Sequence, residues 1–307
     1  MTATSPVDWP CGLPRDERLV MWTVPEDLQP YVSGYSLYVV GETGGEPHRG
    51  AFEPAGPSLR ISIQGGAGWR VRFASGDWLV PPQVALFGPN SEIIWSESGP
   101  GYLVGVGIRP RGWRRLFRDT AKDWADRIGS PPFVHPDAID RLTERFSALG
   151  SDEDVASAFT DVLRESLSPR DEDEQTVASI EAALVDPAIT TVAELTERTA
   201  LGVRTLQRLS DRVFGFSPKV LLRRARFLRS LHAIRAAPPR AWGTAIDPSY
   251  TDYSHFIRDA QYFLGMSPQA FLEHDMPLLR RSLLLRETVL GTPAQALDPP
   301  PEAAEAR

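Results

Sequence analysis

The sequence predicts an α+β protein: an N-terminal antiparallel β-barrel or sandwich with flanking helices, followed by a C-terminal all-α domain. Three observations carry this. Residues 31–108 hold short runs of β-branched and aromatic residues, such as YSLYVV, SLRISIQ, WRVRFA, QVALFG and GYLVGVGI, punctuated by Gly, Pro and Asn clusters. The texture changes near Arg109 to helical patterns that continue to about Asp275. A chain of 307 residues is also too long for one ordinary core, so two domains are expected.

In order, residues 1–30 are Pro-rich and read as an irregular segment, and 31–135 read as the β-rich domain. Within it side chains alternate: Ile61 and Ile63 share a face opposite Arg60, Ser62 and Gln64, while Trp69, Val71 and Phe73 oppose Arg70 and Arg72. WRRLFRDTAKDWADRIG reads as a helix. Residues 136–170 form a helical connector whose Leu142, Phe146, Val155, Phe159, Val162 and Leu163 could pack on the β domain or make a dimer seam. SPRDEDEQ (168–175) has the composition of a linker. MPLLRRSLLLRETVL suits an amphipathic helix docked on the preceding domain, and 291–307, Pro/Ala-rich with almost no large apolar residue, is expected to be disordered.

Composition narrows the function. Net charge is −7 and the only cysteine is Cys11, so no internal disulfide framework or Cys-based zinc site is available. The start, MTATSPVDWPCG, lacks a secretory pattern, and no stretch of about 18 apolar residues could span a bilayer, so a cytoplasmic protein without membrane association is expected. No nucleophile elbow, Walker loop or spaced dinucleotide fingerprint occurs, and the front half has only His48 and His135, without H-x-H. A non-enzyme with no metal and no cofactor is the expectation.

The helical part carries the functional signal. TVAELTERTA is an amphipathic segment that Thr190 or Thr191 can cap, with Glu194 placed for a capping box. LGV then breaks the run, with Gly202 expected to supply a left-handed turn. In the next helix Leu206, Leu209 and Val213 share a face, while Arg204, Gln207, Arg208 and Asp211 point away. Two helices joined by a short turn have the shape of a helix-turn-helix, whose second helix reads the DNA major groove. Arg and Gln are the side chains that pair with guanine and adenine edges. From 198 to 240 the basic residues are Arg198, Arg204, Arg208, Arg212, Lys219, Arg223, Arg224, Arg226, Arg229, Arg235 and Arg240, against the single acid Asp211. Such a block in an acidic protein reads as a phosphate footprint.

RTLQRLSDRVFGFSPKVLLRRARFLRSLHAI, followed by YTDYSHFIRDAQYFLGMSPQAF, closely resembles the DNA-binding domain of AraC/XylS-type transcription regulators. The resemblance covers 176–275. R-x-L-Q-R-x6-G-x-S-P recurs as S-H-F-x-R-x6-G-x-S-P, at the spacing of the family's two helix-turn-helix units, which one linker helix joins. It implies base contacts by Arg204, Gln207 and Arg208 in the first unit and by Tyr253, Ser254 and Arg258 in the second, with Ile257 also at a reading position. Arg212, Lys219, Arg223 and Arg224 are expected on phosphates, and His255 as a structural residue. Departures weaken the second unit: Pro248 and Ser249 fall where a helix end and a Gly are usual, and Ala260 and Gln261 replace a Phe and a basic residue. The first unit is therefore expected to dominate sequence reading.

The front half resembles the cupin-like sensor domains attached to such regulators, on a looser Gly107-Arg109-Pro110-Gly112 turn. That implies a small-molecule effector, with Trp69, Phe73, Trp95 and Tyr102 as candidate pocket residues beside Trp78. Double-stranded DNA is the implied partner, along with a homodimer and, for an activator, RNA polymerase. The competing reading is a ligand-binding module whose degenerate helical domain docks a protein.

Overall fold

The computed structural model describes residues 17–41, 46–63, 69–74, 76–170 and 172–301. Cys11, Gln64 and the ends of the two terminal segments lie outside the described residues. Strands are β1 (Arg18–Trp22), β2 (Val32–Val40), β3 (His48–Phe52), β4 (Ser58–Ile63), β5 (Arg70–Phe73), β6 (Val84–Phe87), β7 (Ile94–Ser98), β8 (Gly101–Ile108) and β9 (Ile128–Gly129). Helices are α1 (Pro110–Leu116), α2 (Ala138–Ser147), α3 (Asp154–Ser166), α4 (Glu174–Val185), α5 (Val192–Thr199), α6 (Val203–Leu209), α7 (Pro218–Ala236), α8 (Trp242–Ala245), α9 (Tyr253–Leu264), α10 (Pro268–Glu273) and α11 (Pro277–Leu290).

The fold is α+β, with two antiparallel sheets in a sandwich: β1-β2-β8-β4-β6-β9 and β3-β7-β5. The six-stranded sheet turns its apolar face outward onto helices. Leu59, Ile61, Val104 and Val106 pack in one buried cluster with Trp113, Phe117, Phe146 and Phe159. Leu142, Phe146, Val155, Phe159, Val162 and Leu163 all lie in this cluster, so the apolar faces of α2 and α3 are consumed within one chain. A smaller cluster of Trp69, Val71, Ala85, Phe87 and Ile94 joins the two sheets. There Trp69 stacks on Phe87 at 5.7 Å between centroids.

Four local expectations are corrected. The segment 1–30 is not wholly irregular: RLVMW forms β1, paired in register with β2 from Arg18–Val39 to Trp22–Tyr35. The helix expected after Arg109 stops at Leu116, because Phe117 is extended and Thr120 opens a separate 3-10 turn with a capping box to Asp123. The charged stretch 168–175 is tethered: Arg115 donates to the Ser168 carbonyl at 2.6 Å, and Asp173 pairs with Arg212. The segment 291–301 is not disordered. It makes a 3-10 turn at Gln295–Leu297, the Gln295 amide donates to the Pro57 and Ile108 carbonyls at 3.0 and 3.1 Å, and Asp298 pairs with Arg286. Polar anchoring substitutes there for the large apolar side chains the segment lacks.

The helical part is docked on the sandwich. Ala51, Ile93 and Trp95 share a buried cluster with Phe227, Phe256, Phe263 and Phe271. The Ile93 amide donates to the Phe263 carbonyl at 2.8 Å. Among the described residues, no helix is long and apolar enough to cross a membrane.

Candidate nucleic-acid interface

The first unit is α5, a turn and α6. Thr191 caps α5 by accepting from the Glu194 amide, while the Glu194 carboxylate accepts from the Thr191 amide, completing the capping box. The Thr190 and Thr191 amides and the Thr190 hydroxyl, donating to the Glu194 carboxylate, lower its pKa from the ordinary value. The left-handed position falls on Ala200 (φ 53°), not on Gly202, which is extended (φ −68°, ψ 149°) and serves as N-cap of α6. A capped turn needs one left-handed residue after the helix, and here the chain has reached it before the glycine.

Leu206, Leu209 and Val213 are buried with Leu195, Ile180 and Leu221. After Leu209 the helix continues through a π-type turn, Ser210–Phe214, and ends at Gly215 (φ 83°). A Cβ at Gly215 would lie 2.4 Å from Pro89 and 3.0 Å from the Ala121 carbonyl, so the glycine serves both the turn and a close approach to the front domain. Ser217 then caps α7 by accepting from the Val220 amide, with Pro218 at the first turn. Ser267 and Pro268 repeat the device at α10. The repeated Ser-Pro of the sequence is thus a helix-starting signal used twice.

On the first unit's outer face Arg204 and Arg208 are exposed. Gln207 is half-buried and donates to Asp211 at 2.8 Å. Lys122 of the front domain donates to the same carboxylate at 2.8 Å. In the second unit α8 is a single turn, and Asp247 to Asp252 follow without regular structure. Asp252 caps α9 by accepting from the His255 amide. Ser254 and Arg258 are exposed, and Tyr253 and Ile257 half-buried. His255 lies 3.3 Å from both Arg226 and Thr251.

The basic block divides in two, as sequence reasoning missed. Arg212 pairs with Asp173. Arg223 and Arg226 pair with the buried Asp259, and Arg229 with Asp247. Arg235 pairs with Glu53 of the front domain. Arg224 is buried and donates to the Ala55 and Asn90 carbonyls at 2.8 and 3.1 Å. Burial lowers its pKa to about 10. The expectation that Arg224 meets phosphate is therefore wrong, and Arg212 and Arg223 are committed to carboxylates. The acids that balance the block lie outside 198–240 in sequence, which is why its composition looked unopposed. Of the four residues expected on phosphate, Lys219 is exposed.

The candidate pocket aromatics also divide. Trp69 and Tyr102 line a cavity of about 190 Å³ between the sheets and the C-terminal helix. Phe73 packs on the inter-sheet cluster, and Trp95 lies against Phe271 and His274 of the helical part. Neither lines the cavity, because β5 and β7 turn these side chains to the cluster and to the docked domain.

A family model described as a helix-turn-helix domain matches residues 195–274, from the last turns of α5 through α10. Residues 195–274 are an AraC-type helix-turn-helix domain. The match takes in both units and the linker helix α7 and leaves the β-rich front outside it. No curated protein matches the chain. Among solved structures the chain is similar to ToxT from Vibrio cholerae in several forms. A 1.65 Å structure is 13% identical, covering 84% of this chain and 97% of that one, with a TM-score of 0.37. A form bound to (E)-4-(8-methylnaphthalen-1-yl)but-3-enoic acid is 12% identical, with coverage of 84% and 97% and a TM-score of 0.37. A form bound to an unsaturated fatty acid is 11% identical, with coverage of 85% and 96% and a TM-score of 0.36. At these scores the architectures coincide only loosely. The AraC-type domain is what the chain shares with a known family.

Proposed function

We propose that this protein is a sequence-specific DNA-binding transcription regulator, in which the AraC-type domain binds the operator and the β sandwich receives a small-molecule effector. One observation supports it most: two helix-turn-helix units sit on one 19-residue linker helix, each offering an exposed Arg one turn into its second helix, Arg208 and Arg258. At 1.5 Å per residue the linker is about 28 Å long, near the ~34 Å between successive major grooves on one DNA face.

Arg204 and Arg208 are the base readers of the first unit, since both are free to reach guanine edges. Gln207 reads adenine once released from Asp211. Tyr253, Ser254 and Arg258 form the second reading surface, and Lys219 meets phosphate. The single-turn α8 gives the second unit a poorer scaffold, so the first unit carries most of the discrimination. A homodimer on a two-site operator and, for an activator, contact with RNA polymerase complete the reading.

Sequencing genomic fragments retained by the purified protein tests this. The expected result is a recurrent motif with one strongly and one weakly specified half. Retention of fragments without any enriched motif would overturn it.

A further inference from the structure

The alternation on β4 places Leu59 and Ile61 on the helix-covered face and Ser58, Arg60 and Ser62 on the other. That second face is half-buried. With Ser36 and Gly105 it lines the cavity of about 190 Å³ against β3 and β7. Small and hydroxyl side chains on the inner face leave this end of the sandwich hollow, where the Trp69–Phe87 stack fills the other.

One side of the cavity is walled by the chain's own C-terminal strap. Leu279, Leu283 and Leu290 of α11, then Ala294 and Gln295, form its remaining wall. The strap is fitted to the sheet: a Cβ at Gly34 would lie 2.6 Å from Leu290. Gln295 holds the strap's end to two carbonyls beside the cavity, and Arg281 pairs with Glu17 at its start. The amphipathic pattern of 276–290 was expected to dock on the preceding helical domain. It does so, with Met276, Leu279 and Leu283 packed in the cluster of Phe227, Phe256 and Phe263, and part of its apolar face also lines this cavity.

The charges around the cavity do not balance. Among the described residues Glu53 is its one carboxylate, and it is taken by Arg235 and His232. Arg286 pairs with Asp298, and His48 lies 3.7 Å from Glu17. Arg60 has no carboxylate partner among the described residues. Its guanidinium lies 3.9 Å from the Phe52 ring centroid and 5.2 Å from that of Phe87, with the Tyr38 hydroxyl beside it. Its buried Nε has no hydrogen-bond partner. Burial lowers its pKa, yet a guanidinium stays charged at neutral pH. A desolvated cation without a counter-ion is costly and is stabilised by an anion that brings its own apolar body.

We propose that this cavity binds an amphipathic organic carboxylate, its anion paired with Arg60 and its hydrocarbon body enclosed by Leu279, Leu283 and Leu290 of the C-terminal strap. The proposal deepens the effector reading above and rests on it. A cavity of this size suits on the order of six to ten non-hydrogen atoms. Because α11 follows α10 directly, the occupant touches an element continuous with the second helix-turn-helix unit.

The test is binding of hexanoate and octanoate to the full-length protein, by thermal shift and Trp fluorescence, beside 1-octanol and octylammonium. The expected result is that octanoate raises Tm by several degrees at millimolar concentration, while octylammonium does not. Arg60→Met should weaken octanoate at least ten-fold and leave 1-octanol unchanged, and Arg60→Lys should retain part of the octanoate response. Equal responses to octanoate and 1-octanol in the wild type would overturn the anion assignment even if Arg60→Met fails to fold. So would an absence of response to both carboxylates, or an Arg60→Met protein that binds octanoate like the wild type. These readouts involve no DNA, so they fail or succeed independently of operator binding.

Discussion

Replacing Glu53 by Gln should loosen the AraC-type domain from the sandwich in a pH-dependent way. Glu53 follows β3 and is buried, and its carboxylate meets Arg235 at 2.5 Å and His232 at 3.1 Å, both on the linker helix α7. Burial alone would raise its pKa, but these two partners outweigh it and hold the carboxyl at about 2, against an ordinary 4.5. That difference corresponds to roughly 3 kcal/mol of native-state stabilisation at neutral pH. The sign follows from a depressed folded pKa: the contribution is complete above pH 4.5 and is lost as pH falls toward 2. Gln keeps the shape and mimics the protonated acid. Urea unfolding of wild type and Glu53→Gln should thus differ by roughly 3 kcal/mol at pH 7, and the gap should narrow by about a quarter at pH 4. Leaving the half-buried Arg235 without its counter-ion acts in the same direction. A variant as stable as wild type at pH 7, or a gap that does not change with pH, would refute the reasoning.

Ala200→Gly should stabilise the protein by about 0.5–1 kcal/mol, since Ala200 occupies a left-handed conformation that glycine adopts without strain; thermal melts would check it, and a lower Tm would count against the turn as described. Arg224→Ala and Lys219→Ala should separate the two halves of the basic block. The first should lower Tm with little change in the salt dependence of DNA binding, and the second should reduce the salt slope by about 1 and leave Tm alone. Arg208→Ala should cost about 1–3 kcal/mol of specific affinity in gel-shift titrations, and Arg258→Ala less; the reverse order would show that the second unit dominates.

The helix-turn-helix part was the more legible because its signals are local. The capping box at Thr191, the Leu206–Leu209–Val213 face and the two Ser-Pro helix starts all lie within a few residues of what they determine. The basic block was misjudged because its counter-charges are not local: Glu53, Asp173, Asp247 and Asp259 reach it from 18 to 182 positions away in sequence, the extremes being Arg229–Asp247 and Arg235–Glu53. The sandwich was legible as alternation, but alternation does not say which face is outward. Ile61 could have faced the partner sheet; instead Phe146 and Phe159 claim that face, and Arg60 turns into the cavity. The tail misled by composition, since Gln295 and Asp298 hold it by polar contacts.

The central claim is that the AraC-type domain binds DNA through a few exposed cations, Arg204, Arg208, Lys219 and Arg258, with the rest of the basic block largely committed to carboxylates and carbonyls within the fold. The salt dependence of affinity for a selected operator measures this directly. About four phosphate-equivalent contacts per protomer predict a slope of roughly −4 per bound protomer in log affinity against log salt. A slope near zero would contradict DNA binding by this surface, and one near −10 would contradict the internal pairing of the block.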